Sequence, residues 1–189
     1  MDSVKAVDAH YETHFGAESE YWKFHNRPGT IGVLEWPKKI SRHRVHIYAT
    51  LGLHALVPAP LNHAQGFELY TCVSAGDEAF RAAFGMMAND LISDGTFLEP
   101  GHMVTLSTGH IIEGRPFRSW LMLERTDDFI PPLQLDNGHH VIFLDATPVF
   151  AEEAQRVKEH GLDGLFDIWD EDPPRLSDLN RTLPRPLQV

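Results

Sequence analysis

Arg44-Val45-His46-Ile47-Tyr48-Ala49-Thr50-Leu51 is the stretch whose reading decides the fold. Val45, Ile47, Ala49 and Leu51 point one way, and Arg44, His46, Tyr48 and Thr50 point the other. A side-chain period of two belongs to an extended chain, so the segment predicts a β-strand. Phe67 to Val73 repeats the pattern, with Phe67, Leu69, Thr71 and Val73 on one face. Pro58, Pro60 and Asn62 mark the loop between the two.

Working outward, further strands are predicted at Ile31–Trp36, Met103–Leu106, Ser119–Glu124 and His140–Asp145. Asn26-Arg27-Pro28-Gly29 reads as a turn before the first of them. Helical spacing takes over elsewhere. Val4, Val7, Tyr11 and Phe15 form one stripe over residues 4–15. Phe80, Ala83, Phe84, Met87 and Leu91 form another over 77–92, behind Ser74-Ala75-Gly76-Asp77 as a weak N-cap arrangement. Thr147-Pro148 reads as an N-cap followed by proline at the first helical position, opening a helix that runs to His160 and stops at Gly161. Leu162, Leu165, Phe166 and Trp169 give a last helical stripe, and the prolines of the tail predict an irregular end after about residue 181.

Strands that follow one another without regular βαβ alternation predict an α+β fold, with a mixed, mostly antiparallel sheet flanked by helices. A length of 189 residues with no obvious linker predicts one domain over 1–189. The composition, 42% hydrophobic and 23% charged, is that of a globular chain. No apolar run approaches the ~18 residues that span a bilayer, and the start lacks a secretory pattern, so a cytoplasmic protein without membrane contact is expected. A lone cysteine, Cys72, excludes an intrachain disulfide and a thiolate zinc cage.

Sixteen basic residues against 27 acidic ones give a net charge of −11. Such a field opposes a phosphate backbone and argues against nucleic acid as a partner. It favours basic proteins or peptides, mainly by speeding encounter. Twelve histidines would bring the chain close to neutrality if all were protonated.

Catalytic templates fail: there is no phosphate-binding P-loop, dinucleotide fingerprint or nucleophile elbow. Cys72 lies in a predicted strand and reads as an inert thiol. His102, His110, His139 and His140 are the residues a metal-dependent enzyme would use. Adjacent strand residues face opposite ways, however, so His139 and His140 cannot easily share one ion. His10 and His14 sit four apart on the first helix, where an ordinary helix face is the simpler reading. Asp127-Asp128 reads as a turn, and Glu152-Glu153 as acids placed favourably at a helix start. No catalytic residue, metal or cofactor is expected.

The densest charge feature is Gly161-Leu162-Asp163-Gly164-Leu165-Phe166-Asp167-Ile168-Trp169-Asp170-Glu171-Asp172, with five acids and no base. As a helix it buries Leu162, Leu165, Phe166 and Trp169 and leaves Asp163, Asp167 and Asp170 along an opposing edge. That is either a solvated face or an acidic docking surface for a basic partner. In the second case Asp163, Asp167, Trp169, Asp170, Glu171 and Asp172 are the candidate partner-binding residues. Trp22, Trp36, Trp120 and Trp169 are the available aromatic anchors, and Trp169 is the one the acids surround.

An ordered set of segments resembles the suppressor of fused (SUFU) domain family. They are His46-Ile47-Tyr48-Ala49-Thr50-Leu51-Gly52-Leu53, Gly66-Phe67-Glu68-Leu69, Phe97 through His102, Trp120-Leu121-Met122-Leu123 and Val141-Ile142-Phe143-Leu144. Glu152-Glu153 and the Leu165–Arg181 region follow. Order and spacing hold over about residues 30–181. The resemblance implies the mixed α/β SUFU fold and protein binding without catalysis. Animal members look like two-domain regulators that hold a transcription-factor peptide between domains, and this chain covers only the N-terminal type. Compact bacterial relatives resemble immunity proteins that neutralise a cognate polymorphic toxin, which is the function expected here. The alternatives are a cytoplasmic scaffold or regulator of an endogenous protein and a histidine-based metal enzyme. Partner binding is expected through the acidic face or through an exposed sheet edge that accepts a strand.

Overall fold

A computed structural model describes residues 2–25, 29–60, 65–105, 110–125 and 129–188. Most of the Asn26–Gly29 turn, the loop residue Asn62, the strand end Leu106 and the Asp127-Asp128 pair lie outside the described residues. The elements are α1 (Ser3–Phe15), β1 (Glu20–His25), β2 (Thr30–Trp36), β3 (His46–Leu51), α2 (Leu53–Leu56), β4 (Gln65–Val73), α3 (Glu78–Asp94), β5 (Met103–Thr105), β6 (Ser119–Leu123), β7 (Leu133–Gln134), β8 (His140–Val149) and α4 (Ala151–Glu171).

Among the described residues, eight strands form one sheet in the order β1-β2-β3-β4-β8-β6-β5, with β7 paired to β8. All neighbours are antiparallel except β4 and β8, which run parallel in the middle. The α+β reading with a mixed, mostly antiparallel sheet therefore holds.

Alternation along the strands explains the layers. Ile31, Val33, Tyr48, Phe67, Leu69, Trp120 and Leu144 face α3, which contributes Phe80, Phe84, Met87 and Leu91. The opposite parity, Leu34, Trp36, Ile47, Ala49, Tyr70 and Phe143, packs on Val7, Tyr11 and Phe15 of α1. Further along the same face, Leu121 and Val149 pack on Ala154, Leu165, Ile168 and Trp169 of α4. The deciding stretch is thus covered on both sides, and its polar members His46 and Thr50 are buried. His46 bonds Glu35 at 2.7 Å, and Arg81 of α3 donates to the other Glu35 oxygen at 2.8 Å. Thr50 donates to the fully buried Glu68, which also accepts from the His54 ring at 2.6 Å. Buried charge is tolerated here because each carboxylate is paired and hydrogen-bonded.

Asp77 caps α3 by accepting from the Phe80 amide at 3.0 Å. One boundary differs from its local signal. Thr147-Pro148 does not open a helix; β8 continues through both to Val149, and α4 starts at Ala151. The β4–β8 pairing stops at Tyr70↔Asp145, so Pro148 has only β6 beside it, opposite Trp120. A missing N–H costs little where one flank of a strand is open. Gly161 does interrupt the helix as expected, with φ 71° and ψ −175° inside α4.

His10 and His14 lie on α1 with ring centroids 4.6 Å apart. Burial holds His10 below its ordinary value of 6.5, against the Pro131 carbonyl it contacts. Burial, followed by the charges of His10, His43 and Arg42, does the same for His14. The unfolded chain then binds more protons than the folded one in mild acid. Their contribution is complete above about pH 6.5 and is lost as pH falls below it. Urea titrations between pH 7.5 and 5.5 should show a smaller loss for the His10→Gln/His14→Gln variant than for the parent.

Candidate functional site

The acidic segment forms the second half of α4, after the break at Gly161. Its buried side is Gly164, Leu165, Ile168 and Trp169. Asp163, Asp167, Asp170 and Glu171 are exposed, so the structure brings four of the five acids onto one solvent face. Asp172 behaves differently. Its carboxylate accepts the Arg185 amide at 2.8 Å and flanks the Arg185 guanidinium at 3.4 Å. The amide bond first, then that guanidinium, hold its carboxyl below the usual carboxylate range. Asp172 anchors the tail.

Trp169 is not on the surface. It is 8% exposed, and its indole N–H donates to Glu153 at 2.9 Å. Phe166, read as part of the buried stripe, is instead 39% exposed. Ile168 joins Leu165 and Trp169 on the buried side in place of Phe166, which sits at the flank of the helix. Phe166 lies one turn after Leu162 on that flank, and residues four apart share a helix face.

Leu162 leads to the sheet edge. A methyl group on Gly101 would sit 3.3 Å from the Leu162 side chain, and Met103 packs into the same cluster as Leu162 and Leu165. Among the described residues β5 is the last strand on this side, paired only to β6. Thr105 is exposed, and Met103 and Val104 are half-buried. Leu162, at the head of the acidic segment, therefore lies beside the β5 edge. Sequence reasoning missed this contact, because nothing local marks Met103–Thr105 as an edge.

At the far side of the sheet, β1 is the other edge. Trp22 there lies under Arg81, whose guanidinium is 3.6 Å from the ring centre. Trp36 and Trp120 are core residues. Glu153 is more than a helix-start acid: it is fully buried and binds Arg181 through both oxygens, at 2.9 and 2.7 Å.

The histidines considered for a metal are dispersed. His140 opens β8 beside Gln65, whereas the His102 carbonyl accepts from Met122, whose partner is Ala146. Six residues of extended chain separate those levels, about 20 Å. His102 contacts Glu99, His110 contacts the Arg115 carbonyl, and His139 sits exposed in the turn before β8. No group of three metal-binding side chains occurs among the described residues. No described helix is long and apolar enough to cross a membrane.

The family model described as Suppressor of fused protein (SUFU) matches residues 27–182. Three solved structures share the fold. A SUFU homolog from Neisseria gonorrhoeae FA 1090 is 18% identical, with 96% of each chain covered and a TM-score of 0.69. A chain of the Sufu–Fu complex is 11% identical over 95% of this chain and 91% of that one, with a TM-score of 0.71. Drosophila suppressor of fused is 10% identical with a TM-score of 0.62; the match covers 96% of this chain and 50% of that one. A search of curated proteins finds no match.

Proposed function

Since the chain belongs to the suppressor of fused (SUFU) family, we propose that it is a non-enzymatic protein-binding domain whose partner is a basic polypeptide, and that it acts as an immunity protein neutralising a cognate toxin. The observation that carries the reading is the packing of Leu162, at the head of the acidic segment of α4, beside Gly101 and Met103 at the β5 edge. A partner strand laid on β5 would gain backbone hydrogen bonds, with Phe166 as an apolar contact and the acids meeting its positive charge. The net charge of −11 supports the same partner chemistry. The Sufu–Fu complex is a precedent for protein binding within this fold.

Proline scanning of β5 tests the edge. Backbone N–H groups alternate in direction along a strand, so one of Val104→Pro and Thr105→Pro removes an internal ladder bond and the other an outward donor. The outward variant should keep the parent's stability and bind the partner at least about tenfold more weakly. Equal binding by every stable proline variant would remove β5 from the interface. An adjacent gene for a large secreted toxin favours immunity over the regulation of an endogenous protein, and co-expression should then suppress that toxin's growth inhibition.

A further inference from the structure

Ser3 of α1, His54 of α2 and Glu68 of β4 meet in one chain of hydrogen bonds on the α1 side of the sheet. Glu68 is fully buried and accepts from four donors. These are the Thr50 hydroxyl, the Gly52 and His54 amides at 2.9 and 3.1 Å, and the His54 ring at Nδ1, 2.6 Å away. A carboxylate can only accept, so the proton of the neutral ring sits on Nδ1. Nε2 is left as an acceptor, and the Ser3 hydroxyl lies 3.1 Å from it. Hydroxyl, imidazole and carboxylate in this order are the arrangement that activates a serine oxygen.

Two further features surround the hydroxyl. Ser3 is the first residue of α1, so it stands at the positive end of a 13-residue helix. It is half-buried, and together with Ala6 and residues 134–137 it lines a cleft of about 310 Å³. An anchor for α1 needs only the His54 bond; the cleft beside the serine is what admits a second molecule.

We propose that Ser3 is a modification site, whose hydroxyl takes up a short acyl group from an activated ester or thioester seated in this cleft. Oγ attacks the carbonyl carbon as its proton passes to His54 Nε2, and the positive end of α1 favours the negative charge that develops on the carbonyl oxygen. The C–O or C–S bond of the donor then breaks, and the leaving alcohol or thiol takes the proton from Nε2. The His54 side chain is only 4% exposed, so once Ser3 is esterified no water reaches the base and the ester persists. The chain is modified once, without turnover, as suits a binding domain. The cleft lies beside β7, at the opposite end of β8 from the residues that pair with β6. The proposal therefore stands or falls separately from strand addition at β5.

4-Nitrophenyl acetate is the probe, used on the full chain. It should give a burst of one equivalent of 4-nitrophenolate that Ser3→Ala removes, and peptide mass mapping should find a hydroxylamine-labile acetyl group on Ser3. Ser3 should react at least about 100-fold faster than the exposed Ser19, the least that a positioned base contributes. In urea the two serines should react alike. His54→Asn keeps a donor toward Glu68 and removes the base, so it should slow acetylation of Ser3 by a similar factor, with a thermal melt to show that the variant is folded. Ser3 reacting no faster than Ser19 in the folded parent overturns the proposal, and that comparison decides alone should His54→Asn not fold. Undiminished acetylation in folded His54→Asn overturns it as well. Sustained nitrophenolate release that Ser3→Ala abolishes would make the site a hydrolase and overturn its assignment as a modification site.

Discussion

Replacing Glu153 with alanine should destabilise the chain by about 3–5 kcal/mol, the cost of stranding one half of a buried ion pair. The carboxylate is fully buried and accepts four hydrogen bonds: two from Arg181, one from the Trp169 indole and one from the Phe150 amide. Its removal leaves the Arg181 guanidinium enclosed, with the Pro148 carbonyl as a remaining acceptor at 3.0 Å. The same substitution also frees the first turn of α4 and one edge of Trp169. Glu152→Ala, one residue away and exposed, is the control and should stay within about 0.5 kcal/mol of the parent. Urea unfolding midpoints measure both. A loss below about 1 kcal/mol for Glu153→Ala would mean that this hub does not hold the helix and the tail to the sheet.

Reversing the exposed acids should act on binding and leave folding alone. Asp163→Lys, Asp167→Lys and Asp170→Lys all lie on the solvent face of α4, so the triple variant should unfold within about 1 kcal/mol of the parent. Its association with the basic partner should slow at least about tenfold at low salt, since steering rates rise by 10–10³ with complementary charge. Raising ionic strength should shrink that difference, because the screening length falls to about 3 Å at 1 M. Binding that ignores both salt and the reversal would reject this surface while leaving protein binding itself intact. Trp169 variants should show a different signature, a stability loss, since the indole lies in the core and bonds Glu153.

The features legible in the sequence are those set by local periodicity. Arg44–Leu51 and Phe67–Val73 announce β3 and β4, and the Phe80–Leu91 stripe announces α3, because each buries side chains at regular spacing. β1 escaped notice because five of the six residues of Glu-Tyr-Trp-Lys-Phe-His are exposed, so an edge strand leaves no alternation to read. Thr147-Pro148 carried a helix-start signal, yet pairing with β6 keeps both residues extended. Asp163, Asp167 and Asp170 of α4 stand on the surface as the helical pattern predicts, whereas the phase of the helix differs: Ile168, not Phe166, completes the buried side. That phase depends on Glu153, which lies sixteen residues earlier and grips Trp169. The meeting of α4 with β5 depends on which strand is outermost, a property of the whole sheet that no window of residues contains.

A photo-activatable phenylalanine analogue placed at Thr105, and in a second variant at His25 on the opposite edge, tests the β5 surface most directly. Both positions are exposed, so neither substitution disturbs the core. With the toxin of an adjacent gene, or a basic polypeptide captured from the source cell, the Thr105 variant should give one dominant cross-link that salt diminishes and the His25 variant should give none. Cross-linking at His25 with none at Thr105 would contradict the assignment of β5 and α4 as the binding surface.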